Sequence, residues 1–258
     1  MTRREKFLKE IIRKAGKIVL AGFEKSEVRY TKHDRLDIVT DVDLESNDFI
    51  VSRINEEFPE DEIISEEIKG DLVGEDYTWI IDPLDGTVNF STGIPIFVVM
   101  IALVKNGEVV MSAIFDPIHE KFAFAKKGYG AFVNGKRINC SNNDSMISSR
   151  GLMSFVVKEQ EVYIREKIVE KGNQSNVQME VNAFGCAGFN ALCVANGNRE
   201  WIIGFNHKLW DVAPGALLLL ESGCEVTGYK GEKWKLGMSL VAANKKLHKE
   251  LVKLTSVL

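Results

Sequence analysis

Two aspartates three positions apart close an apolar run and lead straight into a glycine and a threonine: Trp79-Ile80-Ile81-Asp82-Pro83-Leu84-Asp85-Gly86-Thr87-Val88-Asn89-Phe90. Carboxylates are hard oxygen donors suited to divalent cations. Pro83 stiffens the turn expected between them, and Gly86 lets backbone N–H groups approach an anion with no Cβ in the way. A helix opening at Thr87 would add the positive end of its dipole, so that metal and phosphate could share one corner. Asp-Pro and Asp-Gly are also ordinary turn chemistry. The choice between the two readings therefore rests on what else the chain supplies.

It supplies two further acids at element ends. Glu62-Ile63-Ile64-Ser65 reads as a short strand that ends in Glu66-Glu67. Trp210-Asp211-Val212-Ala213-Pro214-Gly215 starts an apolar helix with Asp211 near its positive end, and Pro214 is tolerable in a first turn whose N–H groups lack partners. Singly, Glu66 reads as a solvated acid and Asp211 as a helix cap. Together with Asp82 and Asp85 they make four acids at element termini, as a two-metal site requires.

The elements that must position these groups follow from periodicity. Phe7, Leu8, Ile11, Ile12, Ala15, Ile18 and Val19 recur at helical spacing and predict an amphipathic helix over about 4–24. A second helix is expected over 43–58, capped by Thr40 or Asp41, with Ile50, Ile54 and Phe58 as its apolar stripe and Pro59 as its stop. Between Phe97 and Ile138 the period becomes strand-like, broken by Asn106-Gly107, Asp116-Pro117 and Asn134-Gly135, so a meander of antiparallel strands is expected. After Arg150, strands at 152–157, 201–204 and 240–243 alternate with helices at about 160–171, 186–196, 212–222 and 244–255. The fold class is layered α/β, with a smaller C-terminal half. One domain over 1–258 is expected, in two lobes of about 1–145 and 146–258, with Ser141-Asn142-Asn143-Asp144-Ser145 as the boundary.

Composition narrows the classes. In 258 residues, 45% are hydrophobic, enough for a sizeable core, and 33 Lys and Arg against 37 Asp and Glu give a net charge of −4, which argues against nucleic acid as partner. Cys140, Cys186, Cys193 and Cys224 show no C-x-x-C pairing, which fits reduced thiols in a cytoplasm. Cys186 and Cys193, seven apart on one helical face, read as packing residues. The scattered His33, His119, His207 and His248 lack the spacing of a zinc site. The basic N-terminus is interrupted by Glu5 and Glu10 and reads as a surface helix, and no apolar cluster approaches the length of a membrane span.

On its motifs the chain resembles the inositol monophosphatase family of magnesium-dependent phosphatases. The D-P-[IL]-D-G-T-x-N-F signature stands at Asp82 to Phe90, the W-D-x-A-x-G signature at Trp210 to Gly215, and the acidic pair after a short strand at Ser65-Glu66-Glu67. Lys32 ahead of Asp37 to Asp43, and the glycine-rich run Lys127 to Gly135, match further family segments in the same order. The resemblance implies alternating α-β-α-β-α layers with an antiparallel N-terminal sheet. It implies two or three Mg²⁺ per subunit: Glu66, Asp82 and the Leu84 carbonyl at one ion, and Asp82, Asp85 and Asp211 at a second. Thr87 with Asp43 would orient the attacking water, and Glu66 would share the base role. Phosphate would rest on the N–H groups of Gly86 and Thr87, and Gly185-Cys186-Ala187 would line the substrate pocket. Lys32 would be a compensating charge or a solvated loop lysine. A small phosphorylated metabolite as substrate, a homodimer and lithium sensitivity are further implications.

The chain also departs from that pattern. Gly204 stands where members acting on inositol phosphates carry an acid for the inositol hydroxyls; Asn182 replaces an Arg, Cys186 a Ser or Thr, and Pro214 an Ala or Gly. None of these is an implied metal ligand, so the departures bear on the substrate. Inositol monophosphate leads, and fructose 1,6-bisphosphate, histidinol phosphate and 3′-phosphoadenosine nucleotides are the alternatives in the superfamily. The haloacid-dehalogenase motif places its acids two apart and not three. Gly128-Tyr129-Gly130 lacks the G-x-G-x-x-G of a dinucleotide site. A non-catalytic metal-binding regulatory protein on the same fold is the rival from another class; four acids packed together repel unless metals occupy them.

Overall fold

A computed structural model describes residues 1–23, 25, 28–31, 38–68, 76–153, 159–175, 180–204 and 208–257. The chain runs α1 (Arg3–Gly22), β1 (Val28–Thr31), β2 (Ile38–Thr40), α2 (Asp41–Glu57), β3 (Glu62–Ser65), β4 (Thr78–Asp85), α3 (Thr87–Ser91) and then strands β5 (Val98–Lys105), β6 (Glu108–Asp116), β7 (Lys121–Lys126), β8 (Gly130–Val133) and β9 (Lys136–Arg137). The second half comprises β10 (Arg150–Met153), α4 (Glu159–Ser175), β11 (Glu180–Asn182), α5 (Ala187–Ala195), β12 (Trp201–Gly204), α6 (Leu209–Glu221), β13 (Glu225–Thr227), β14 (Leu240–Ala243) and α7 (Lys245–Thr255).

Strands β3 to β9 form one seven-stranded sheet in sequence order. It is antiparallel except at its edge, where β3 pairs parallel to β4. The expected meander is present, and its Asn-Gly signals act by conformation: Asn106 and Gly107 have φ of 51° and 71°, Asn134 and Gly135 of 49° and 79°. Both pairs are two-residue hairpin loops, linking Lys105 to Glu108 and Val133 to Lys136. Positive φ at both central positions matches the twist of the flanking strands. A second sheet, ordered β11-β10-β12-β14-β13, is mixed, and β1 pairs with β2 apart from both. Of the strand expected at 152–157, the residues after Met153 lie outside the described ones.

The layers follow from strand alternation. In β5, Val99, Ile101 and Leu103 face the apolar sides of α1 and α2, while Val98, Met100, Ala102 and Val104 face the layer of α5 and α6. The second sheet repeats this: Ile202, Leu240 and Ala242 look inward to α5 and α6, and Trp201, Ile203, Val241 and Ala243 outward to α4 and α7. The result is the α-β-α-β-α stack that the resemblance implies. Among the described residues, no helix is long and apolar enough to cross a membrane.

Gly151 of β10 lies beneath the buried Trp201 ring, whose indole N–H donates to Ser149 Oγ at 2.9 Å. A Cβ on Gly151 would fall 1.9 Å from that ring. Gly151→Ala should therefore lower stability by about 1–3 kcal/mol in urea titration, and an unchanged midpoint would show that the indole can move.

Candidate functional site

The first two carboxylates are brought together by the parallel pairing. Ser65 lies opposite Ile81 in the β3–β4 register, and the Glu66 N–H donates to the Ile81 carbonyl at 3.1 Å, so Glu66 leaves the sheet beside Asp82. Asp82 is buried. Between Asp82, opposite Met100, and Asp85, opposite Val98, the β4–β5 register slips by one residue. Where a turn is expected, the chain instead forms a bulge within β4. Pro83, which has no N–H for a ladder, sits at this irregularity, and Leu84 donates its N–H to Asp82 Oδ1 at 3.2 Å.

Helix α2 braces this corner with a polar stripe that periodicity in apolar residues does not reveal. The helix starts at Asp41 with Thr40 as its cap, two residues before the expected start. Asp43, Ser46 and Asn47 stand at i, i+3 and i+4, on the face continued by Ile50 and Ile54, and all are buried. The Ser46 hydroxyl donates to the Pro83 carbonyl at 2.9 Å, and the Ser65 hydroxyl donates to Asn47 Oδ1 at 2.8 Å, fixing both sides of the bulge and strand end. Asp43 accepts from the Thr40 N–H at 2.8 Å, from the Thr40 hydroxyl, and from the Thr87 hydroxyl at 3.0 Å. Burial raises the Asp43 pKa from an ordinary 3.8 to about 6, against the Thr40 and Thr87 hydrogen bonds that favour the anion, and Glu67 adds like-charge repulsion.

Gly86 adopts φ +92°, and a Cβ there would lie 2.8 Å from the Ile96 carbonyl oxygen, so glycine is required on both counts. It caps the short helix α3, at whose first residue Thr87 also lies 2.9 Å from the Leu84 carbonyl. Asn89, buried and not singled out by the sequence, donates its side-chain amide to the carbonyls of Ile96 at 2.9 Å and Phe184 at 2.7 Å. This ties the motif to the segment entering α5. The only signal for it in the sequence was its place inside the motif.

Asp85 faces the start of α5. Its carboxylate accepts from the Ala187 N–H at 3.1 Å, the Gly188 N–H at 2.6 Å and the Cys186 thiol at 3.0 Å. Cys186 is the residue before the helix, with φ −152°, and makes no cap hydrogen bond of its own; Asp85 does that work from another element. Cys186 and Cys193 pack in one apolar cluster, as expected, but not on one helical face, since Cys186 precedes α5 and also donates to Asp85. Burial moves the Asp85 pKa from 3.8 to about 6, opposed by the Cys186 and backbone donors and assisted by Asp211. The same burial, next to Asp85, raises the Cys186 thiol well above its ordinary range.

Asp211 is the third residue of α6, whose cap is Lys208, and accepts from the Lys208 N–H at 2.9 Å, so it braces the helix start from inside the first turn and is not the cap expected of it. It also lies near enough to raise the pKa of both Asp82 and Asp85. Because α6 opens at Leu209, Pro214 falls in its second turn and not its first, and one i→i−4 bond, to the Trp210 carbonyl, is forgone. Asp82 is pushed far up by burial first, then by Glu66, Asp85, Asp211 and Asp43 in that order. Among the described residues, no three His, Cys, Asp or Glu side chains stand grouped as a set that could hold a metal ion. The donors are nonetheless of the right kind: oxygens of mutually repelling carboxylates around one bulge. Asp85 and Asp43 are turned to protein donors. Lys32 lies outside the described residues.

The fold is layered α/β, with Glu66, Asp85, Asp211 and Asp43 all acting on the buried Asp82. The model of the inositol monophosphatase family matches residues 1–257, and the chain belongs to that family of phosphatases. It is 31% identical over 248 residues to the fructose-1,6-bisphosphatase/inositol-1-monophosphatase of Thermotoga maritima, covering 96% of this chain and 93% of that one. It is likewise 31% identical over 246 residues to Nus factor SuhB of Pseudomonas aeruginosa, with 93% and 91% covered. A solved IMPase structure from Thermotoga maritima superposes with a TM-score of 0.89 at 30% identity, over 99% of this chain and 98% of that one.

An acid whose pKa rises on folding binds its proton more tightly in the folded state, so ionising Asp43 and Asp85 costs stability. The loss sets in above the unfolded value of 3.8 and is complete once the pH has passed the folded value of about 6. In chelator, the urea midpoint should accordingly be higher near pH 5 than near pH 7.5. That difference should shrink in the Asp43→Asn, Asp85→Asn double variant. A wild-type midpoint flat across this window would contradict the burial of ionised carboxylates.

Proposed function

We propose that the chain hydrolyses a small phosphate monoester with Mg²⁺ by direct attack of water, inositol monophosphate being the leading substrate. The observation that carries this reading is the register that sets Glu66 beside Asp82, with Asp85 and Asp211 close enough to repel it. Glu66, Asp82, the Leu84 carbonyl, Asp85 and Asp211 would hold two or three Mg²⁺, Asp85 turning from the α5 N–H groups to do so. Mg²⁺ there would offset the carboxylate and phosphate charge and bring the pKa of water toward neutrality. Members of the family have been solved with cations: an IMPase/NADP phosphatase with NADP and Ca²⁺, and a staphylococcal inositol monophosphatase soaked in 100 mM LiCl. Lithium inhibition of this chain is part of the proposal.

The protein's own groups divide the remaining work. Thr87, donating to Asp43 at 3.0 Å, presents its oxygen lone pairs to the attacking water. Asp43, with a pKa of about 6, is suited to draw on that proton near neutral pH, and Glu66 shares the base role. The N–H groups of Gly86 and Thr87 receive the phosphate, whose charge the Lys32 ammonium would help to compensate. Gly185, Cys186 and Ala187 line the leaving-group side together with Asp211. One phosphatase domain over 1–258, with lobes of about 1–145 and 146–258, is supported by the apolar cluster shared by both sheets. Four unbridged cysteines support a reducing cytoplasm, and a homodimer follows from family analogy. Fructose 1,6-bisphosphate, histidinol phosphate and 3′-phosphoadenosine nucleotides are the alternative substrates.

A second reading, a non-catalytic metal-binding regulator, is supported by the 31% identity to a Nus factor. The net charge of −4 favours a small metabolite over nucleic acid as partner. Phosphate release from inositol, sugar, histidinol and nucleotide monoesters, with Mg²⁺ and with chelator, separates the two. Asp82→Asn and Asp211→Asn should each abolish Mg²⁺-dependent turnover with the fold retained by circular dichroism, and Thr87→Ala should lower kcat by about 10²-fold. Mg²⁺ binding by calorimetry without any phosphate release would favour the regulator.

A further inference from the structure

Cys140 follows β9 at the end of the seven-stranded sheet, and Cys224 lies between α6 and β13 at the edge of the five-stranded one. The fold sets them side by side. The Cys140 N–H donates to the Ser222 carbonyl at 3.0 Å, which lays the segment leaving β9 along the α6–β13 turn. Both side chains join the same apolar cluster, and their two thiols are hydrogen-bonded to each other. Cys224 is buried, with Ser222 Oγ 3.8 Å from its sulfur, while Cys140 is half-buried and keeps part of its surface to solvent. The two sulfurs are therefore not equivalent. The bond from Cys224 favours the Cys140 anion and lowers its pKa from an ordinary 9.0, against partial burial; the same bond and burial hold Cys224 as a thiol. An accessible thiolate beside a second thiol is the arrangement in which oxidation by peroxide is reversible.

We propose that Cys140 and Cys224 are a peroxide-sensitive pair that closes to a reversible disulfide, Cys140 attacking and Cys224 resolving. The Cys140 thiolate attacks one oxygen of a hydroperoxide, and the O–O bond breaks. The departing oxygen takes a proton from solvent and leaves as alcohol or water, and Cys140 becomes a sulfenic acid. The Cys224 sulfur then attacks the Cys140 sulfur. The S–S bond forms, the S–O bond breaks, and the oxygen leaves as water with the Cys224 proton. One hydroperoxide is thereby reduced by two electrons and the two thiols are oxidised by two. A small thiol reverses the bridge by exchange, so the pair fits a reducing compartment in which disulfides are transient. The bridge would close a loop holding every element from β10 to α6, Asp211 included. Closing so long a loop restricts the unfolded chain, so the oxidised form should be the more stable one.

The test treats the folded wild-type chain with hydrogen peroxide and counts thiols after unfolding. The count should fall from four to two, a peptide map should show Cys140 joined to Cys224, and dithiothreitol should restore all four. The urea midpoint should be higher for the oxidised chain than for the reduced one. Cys140→Ser should keep its other three thiols at peroxide concentrations that close the wild-type pair. Cys224→Ser should stop at a Cys140 sulfenic acid, captured by dimedone. A bridge to Cys186 or Cys193, a bridge between two chains, or a Cys140 sulfenic acid persisting in wild type beside a free Cys224 overturns the proposal. So does a full thiol count after peroxide. If Cys224→Ser does not fold, the wild-type peptide map and Cys140→Ser decide alone. None of these readouts uses turnover, so the phosphatase reading stands or falls separately.

Discussion

Repulsion among carboxylates at the end of β4 is the constraint around which this structure is arranged. Asp82 is buried, and the strongest charges acting on it are four other acids. A sheet edge would normally avoid this, since like charges in a poorly solvated site each raise the other's pKa. The chain nevertheless spends its most rigid elements on maintaining it. Parallel pairing places Glu66, a bulge turns Leu84 and Asp85, and α2 buttresses the bulge through Ser46 while Asn47 holds Ser65. Apolar packing alone would be better served without the acids, so their retention at such cost is explained by function.

The same constraint explains which parts of the molecule could be read from its residues. The Asn-Gly hairpins are local patterns and stand where turn chemistry puts them, whereas the turn expected between Asp82 and Asp85 is a bulge that only the pairing of β4 with β5 reveals. Strands β11 and β13 escaped because three residues carry too short a repeat to register as a period. The parallel β3–β4 pairing escaped for another reason: direction of pairing is a tertiary property, and Glu62 to Ser65 looks alike in either direction. The brace from α2 was hidden because Ser46 and Asn47 interrupt an apolar stripe, and only the position of Pro83 and Ser65 makes that interruption a contact.

Substrate is less legible than chemistry because the two lie on different kinds of residue. The groups proposed to handle phosphate sit in contiguous motifs, whereas the cavity beside Asp211 is lined from α5, α6 and the ends of β12 and β14. Proteins described as a fructose-1,6-bisphosphatase/inositol-1-monophosphatase and as a Nus factor are both 31% identical to this chain, so overall identity does not separate the two readings.

Asp85 shows how one residue can join those two sides. Its oxygens cap α5 through the Ala187 and Gly188 N–H groups, a contact made across 102 and 103 positions of chain, while Cys186 donates its thiol to the same carboxylate. A serine or threonine before α5 could cap the helix itself; Cys186 does not, so α5 depends on Asp85 for its first-turn donors. Any cation drawn to Asp82 and Asp211 must compete with those donors for Asp85. Cation uptake of the kind proposed would therefore be coupled to the position of α5 through a single carboxylate. Since α5 also lines the cavity beside Asp211, that coupling would carry the charge state of the corner to the cavity wall.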